Sequence, residues 1–355
     1  MNWNLFSKHR DSIYGISILS IMVYHFCKNV IEFETGLGAD IANIYATFIG
    51  SIGVEIFLFL SGMGLFYSMM KNDDILAFYK RRMIRVLIPY LIVAIPYFYF
   101  RDIIRYEDTW ITYLQNITFF SLFTEHETIL WYIGLTLFTY LIYPFIFPLV
   151  KDGKDIEKKL VIGFLVLLGI YIFLQIFWTE PFNDARIAIC RLSIFYAGCV
   201  YAPKIYYKQG FNTFDKVLFS VGLPIKLICG YMELNGVDFS GIPERMVDFF
   251  FGLFMTAILT MILEKMKVNS KLLKLAGNYS LELYMLHMVI RSVMRELDYK
   301  MSDPLNYLVC VVISIGLSYI LRKITDHIAA LLDKKPAQTL NSVVNIKGKC
   351  PKIVR

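Results

Sequence analysis

Ser12-Ile-Tyr-Gly-Ile-Ser-Ile-Leu-Ser-Ile-Met-Val-Tyr-His25-Phe-Cys-Lys-Asn-Val-Ile31 decides how the chain has to be read. A helix of roughly 20 such residues, at about 1.5 Å rise each, crosses a hydrocarbon core of about 30 Å. His25 stands inside this otherwise apolar run. A charged residue near mid-bilayer costs roughly 2.5 to 3.5 kcal/mol, so His25 is expected to be neutral, paired within a bundle, or facing a water-filled cavity. Each option keeps it off lipid and makes it a candidate for function. The run is too long for a cleaved secretion signal, and no small-residue cleavage site precedes the acidic loop after it, so it reads as a permanent span.

The rest of the chain repeats the pattern. With 57% hydrophobic and 16% aromatic residues and a mean hydropathy of +0.55, the 355 residues cannot be wrapped as a soluble globule. Apolar segments recur at about ten places: 12–31, 42–70, 84–100, 129–150, 160–178, 186–202, 214–234, 246–263, 279–297 and 305–328. The fold class is therefore all-α and polytopic, with about ten transmembrane helices in one domain over 1–333 and a short basic tail over 334–355. The aromatic run Trp110 to Phe123, between Arg101 and Thr128, is too short to span and too apolar for a plain loop; it reads as interfacial or re-entrant.

Loop charge orients the bundle, because Lys and Arg collect on the cytoplasmic side. Lys8 and Arg10 precede the first span, Lys71 and Lys80 to Arg85 lie between the second and third, and Lys151 to Lys159 follow the fourth; Lys265 to Lys274 return later. The alternate loops carry Glu32, Glu34, Asp40, Glu180, Asp184, Asp238 and Glu244. Both termini are thus expected in the cytoplasm. The net charge of +7 serves topology and, in the tail, contact with anionic lipid, and gives no sign of nucleic-acid binding. The six cysteines show no metal-ligand spacing, and neither an internal repeat nor a metal site is expected.

Polar residues inside the spans carry any chemistry. His25 fits a general base or proton relay. Glu55, in Gly53-Val-Glu-Ile-Phe57 of the second span, is expected to reach His25 directly or through water and fix its tautomer; the plainer alternative is a structural contact between helices. Arg82 and Arg85 share a helix face ahead of Pro89-Tyr90, where guanidinium forks suit phosphate oxygens, although topology alone explains two basic residues there. Trp131 reads most simply as an interfacial anchor. Glu282, His287 and Arg291 crowd the ninth span, many costly groups for a scaffold. Arg186, Arg191, Lys226 and Glu233 add to a polar interior, with snorkelling the plain reading for those near helix ends.

In order, these blocks resemble the acyltransferase 3 family of bacterial membrane proteins over residues 11 to 325. Gly15, Ile16 and His25 look like its opening motif, Gly53 to Phe57 with Ser61-Gly62 its second block, Arg82, Arg85 and Pro89-Tyr90 its arginine pair and following proline. Leu130-Trp131 through Tyr140 and Pro144 resemble its aromatic block, and Ser280, Tyr284 and His287 its late histidine block. One departure stands out: the family usually carries a basic residue 11 positions before the first-span histidine, and this chain has Tyr14, with Arg10 one turn earlier.

The resemblance implies a multi-pass enzyme of the bacterial cytoplasmic membrane. It would move an acyl group, acetyl or succinyl, from cytoplasmic acyl-coenzyme A to a hydroxyl of a surface polysaccharide or its lipid-linked precursor, as in O-acetylation of an exopolysaccharide. Acyl-coenzyme A is then a co-substrate, with no tightly bound cofactor; the other partners are the carbohydrate acceptor and the bilayer, and a homo-oligomer is open. On this reading His25 and Glu55 are catalytic, Arg82, Arg85 and Tyr90 hold the donor, and Trp131, His287 and Arg291 contact acceptor or oxyanion. The rival classes are a proton-coupled transporter, which predicts a repeat, and a non-catalytic scaffold for envelope assembly.

Overall fold

The computed structural model describes residues 2–50, 52–124 and 129–333; the expected basic tail, 334–355, lies outside the described residues. The chain is all-helical, 84% helix, and no strand occurs among the described residues. Helix α1 (Asn4–Phe33) leads through α2 (Leu37–Tyr45) and a wide π-wound turn, Ala46–Gly50, into α3 (Ile52–Lys71). The Asp74 carboxylate caps α4 (Ile75–Phe98) by accepting from the Leu76 and Ala77 amides, and α4 runs on as a π-wound segment, Tyr99–Arg105. Then follow α5 (Trp110–Ile117), α6 (Trp131–Val150), α7 (Ile156–Phe177), α8 (Thr179–Ile189) and α9 (Leu192–Tyr206). A capping box between Asn212 and Asp215 opens α10 (Thr213–Leu234), and α11 (Ile242–Lys265), α12 (Lys271–Asn278), α13 (Ser280–Glu296) and α14 (Pro304–Asp333) complete the bundle.

Among the described residues eight helices are long and apolar enough to cross a membrane, or nine if α8 and α9, bent by 40°, form one broken span. Of the ten expected segments, 279–297 is the one absent from that set. There α13 has only 17 residues, about 25 Å by helical rise and short of a bilayer core. It carries Glu282, His287 and Arg291 and packs among α1, α4 and α14, and Glu282 and His287 are buried there.

The aromatic run after α4 is re-entrant. Its Ile117 carbonyl accepts from the Tyr90 hydroxyl at 2.7 Å and Phe119 stacks on the Tyr90 ring at 4.7 Å. Tyr90 lies 15 residues before the end of the α4 rod at Arg105, so the segment dips roughly 20 Å along it.

The centre of the bundle is the α3–α9 seam, which two glycines set. A Cβ at Gly198 would overlap the Phe59 carbonyl, and one at Gly62 would overlap the Phe195 carbonyl. Neither obstacle is a flexible side-chain end, so Gly198→Val should cost about 1–3 kcal/mol or more and lower the folded fraction seen by gel filtration in detergent. An unchanged elution profile and yield would show that the seam is looser than this.

The start of α1 is pinned to the ends of α7, α9 and α10. Trp3 stacks on Tyr201 and Phe211 at 4.4 and 4.3 Å and its indole donates to Asp215 at 3.2 Å. Lys204 bridges Asp215 and Glu157 at 2.9 and 2.6 Å. Lys80 at the start of α4 donates to the Leu332 carbonyl at the end of α14, and Arg10 near the start of α1 walls one cavity with Arg82 and Arg322, so the first and last helices open and close on one face, called the basic face below. Past the other end of α1, Lys300 at 2.7 Å and the Ser302 hydroxyl hold the Glu34 carboxyl below its ordinary range.

Candidate active site

Cavities enter the bundle from both ends of α1. The one on the basic face, about 490 Å³, is walled by Arg10 and Tyr14 of α1, Arg82 and Arg85 of α4, Tyr140 of α6 and Arg322 of α14. Glu282, buried in α13, organises it: its carboxylate lies 2.7 Å from Arg85 and 2.9 Å from Arg322. Arg10 and Arg82 have no carboxylate at ion-pair distance among the described residues, and the Nε of each is buried without a hydrogen-bond partner there. Asp11 and Asp326 stand at the exposed rim.

Arg10 lies over the Tyr14 ring at 5.1 Å. It fits because residue 64 is glycine: a Cβ there would sit 3.1 Å from an Arg10 Nη. The chain that lacks a cation at position 14 thus brings one to the same cavity from position 10, on the aromatic surface of Tyr14. Arg82 and Arg85 both face the cavity, as their spacing predicts. Tyr90, expected to act with Arg82 and Arg85, does not line it; its ring stacks on Phe119 instead.

On the opposite side are two lobes, about 720 and 220 Å³, that share Tyr24, His25, Lys28 and Trp131 as walls. His25 therefore faces a cavity, about 22 Å along α1 from Arg10 by helical rise. Arg291 Nη1 donates to His25 Nδ1 at 3.2 Å. A guanidinium only donates, so Nδ1 carries the lone pair and the neutral ring holds its proton on Nε2.

His287 is fully buried with its ring 5.7 Å from that of His25. Tyr307 gives its single proton to the Met22 carbonyl, so at 3.1 Å it accepts from His287 Nε2. His287 Nδ1 is a buried lone pair without a partner. The one N–H of a neutral His287 is spent, so the expected oxyanion donor role fits Arg291 better.

Glu55 does not reach His25. Its Oε1 lies 2.8 Å from Arg191 Nε, with both side chains buried, and the Arg191 guanidinium covers the Trp131 ring at 5.0 Å. Behind them, Asp248 holds Lys226 and Arg245 at 3.0 and 3.2 Å. The reason is the close α3–α9 seam, which brings Arg191, just ahead of α9, beside α3. Trp131 is 8% exposed and walls the cavity, which corrects its reading as a lipid anchor.

Four rings line the inner wall of the basic-face cavity. Tyr14, Phe57, Tyr132 and Tyr284 follow one another at 5.1, 6.0 and 5.2 Å, and Tyr284 lines a cavity on each side. Sequence reading passed over Lys28, Tyr307 and Arg322. Arg322 left a signal, a cation inside the last apolar run that has to find a buried partner; Tyr307 left none. No group of three metal-ligating side chains occurs among the described residues.

A family model described as an acyltransferase domain matches residues 11–323. No curated protein and no solved structure matches the chain.

Proposed function

The chain belongs to the acyltransferase 3 family, and from that membership we propose that it takes an acyl group from acyl-coenzyme A on the cytoplasmic side and transfers it to a hydroxyl of an envelope carbohydrate. One observation carries the reading: a cavity lined by four arginines and a cavity holding His25 approach each other from opposite ends of α1, with only the rings around Tyr284 between them. With the basic face in the cytoplasm, as loop charge favours, donor phosphates dock on Arg10 and Arg82, and Arg85 and Arg322 are held in place by Glu282. The pantetheine arm then lies along the rings toward His25, and the acceptor enters the opposite lobes.

His25 removes the acceptor hydroxyl proton as its oxygen attacks the thioester carbonyl. The imidazolium then returns that proton to the departing thiolate. Arg291 supplies positive charge and spare N–H groups where the carbonyl oxygen becomes negative. The base must be a ring nitrogen with a lone pair. In this structure that is Nδ1, and Arg291 occupies it, so the guanidinium has to leave before the proton can move.

Phosphate contacts are charge-assisted and worth about 1.5–3 kcal/mol each, and about 1.4 kcal/mol is tenfold. Arg10→Ala and Arg82→Ala should therefore each raise KM for acyl-coenzyme A by roughly tenfold or more, with kcat little changed. Measuring coenzyme A release against donor concentration decides it. An unchanged KM in both variants removes the donor assignment for this cavity.

A further inference from the structure

We propose that the acceptor is anionic, its carboxylate or phosphate seated between Lys28 and Arg291, and that this anion draws Arg291 off His25 Nδ1. The proposal rests on the transferase reading above. Its basis is the charge pattern around His25. In the larger lobe Arg295 is held by Glu32 at 2.8 Å, and Glu296 accepts from Tyr106 at 2.6 Å and lies 3.6 Å from Arg105. In the smaller lobe Arg191 is on Glu55, and Lys226 and Arg245 are on Asp248. Glu244 is on Arg245, and Glu233 lines the same lobe, near enough to Lys226 and Lys28 to interact with both through space but at ion-pair distance from neither.

Two cations remain with no carboxylate at ion-pair distance among the described residues: Lys28 and Arg291. Lys28 follows His25 by three residues, one turn along the same face of α1, and lines both lobes. Arg291 spends one N–H on His25 and leaves its Nε buried without a hydrogen-bond partner. The two cations bracket the imidazole on the side that the acceptor enters.

The same geometry explains how a resting site stays closed. Arg291 on Nδ1 leaves His25 without an available lone pair, so water in the vestibule meets no base and the thioester is not hydrolysed. A carboxylate or phosphate is a stronger, two-point partner for a guanidinium than one imidazole nitrogen. An acceptor that brings such an anion releases Nδ1 as it binds. A neutral sugar of the same shape leaves Arg291 where it is.

The test is deletion of the chain in the cell that naturally makes it, with complementation by wild type, Lys28→Met or Lys28→Arg at matched membrane levels. Base-labile acyl groups are then mapped onto envelope glycans by tandem mass spectrometry. The acylated residue should carry a negative group, and its fragments distinguish a uronate from a phosphorylated sugar. Lys28→Met should lower occupancy at least tenfold, and Lys28→Arg should restore most of it. Acyl groups on neutral sugars, or full occupancy with Lys28→Met, overturn the proposal and leave the transferase reading standing. No acyl difference between deletion and wild type overturns both.

Discussion

His25→Ala lowers acyl transfer by roughly 10²–10⁴-fold, the range that general bases contribute, while the chain still accumulates in the membrane. The argument is geometric. His25 lines the opposite-side lobes and its hydrogen bond runs to a side chain, Arg291, rather than to a backbone group that a helix depends on. Its removal therefore leaves the packing of α1 almost intact. Two readouts belong together: coenzyme A release from purified chain with acceptor present, and the base-labile acyl mass on glycans in cells. A proton-coupled carrier would lose flux without change in glycan chemistry, and a scaffold would lose neither. Full transfer by a folded His25→Ala chain ends the general-base assignment.

Glu55→Ala gives the second large effect, and it is an effect on folding. Breaking a buried ion pair by removing one partner costs about 3–5 kcal/mol, because the other charge is left without compensation in a low-dielectric interior. Here that charge is Arg191, 4% exposed and 2.8 Å from the lost carboxylate. The variant should be recovered at much reduced level, or as aggregate, on gel filtration in detergent. The double variant Glu55→Leu with Arg191→Met removes both charges and should be recovered better than Glu55→Ala, since apolar replacements of similar size are often neutral. A double variant that fares no better would falsify the assignment of Glu55 to Arg191 and return it to His25.

What was legible in the sequence follows from what a single run of residues can express. His25 in an apolar stretch and the shared face of Arg82 and Arg85 are local facts of spacing, and both appear where spacing puts them. The partner of Glu55 is not local. It depends on the α3–α9 seam, 136 residues apart at the Arg191 pair, and the sequence offered the nearer histidine instead. Tyr90 was misplaced for the same reason, because a re-entrant segment that covers it cannot be told from an interfacial one by composition. The shortness of α13 is visible in its polar content, but apolar flanks made it read as a span. Hydrogen-bond direction, which decides that His287 has no N–H to give and that Nδ1 of His25 is occupied, exists only once Tyr307, Met22 and Arg291 are in place.

The partition that the two cavities share at Tyr284 also has an electrical consequence. Cavities that open from opposite faces carry the potential of the solution on each side, so nearly all of the voltage across the bilayer falls over the thin partition at Tyr284, which walls both. An acetyl group passes that layer without electrical work because it is uncharged. A succinyl group carries one negative charge and, leaving a cytoplasm that is negative inside, gains about 2.3 kcal/mol per 100 mV. In the proposed orientation the cell's membrane potential therefore acts on this enzyme only through the charge of the acyl group. Collapse of the potential with an ionophore distinguishes a neutral cargo from an anionic one without any knowledge of the acceptor.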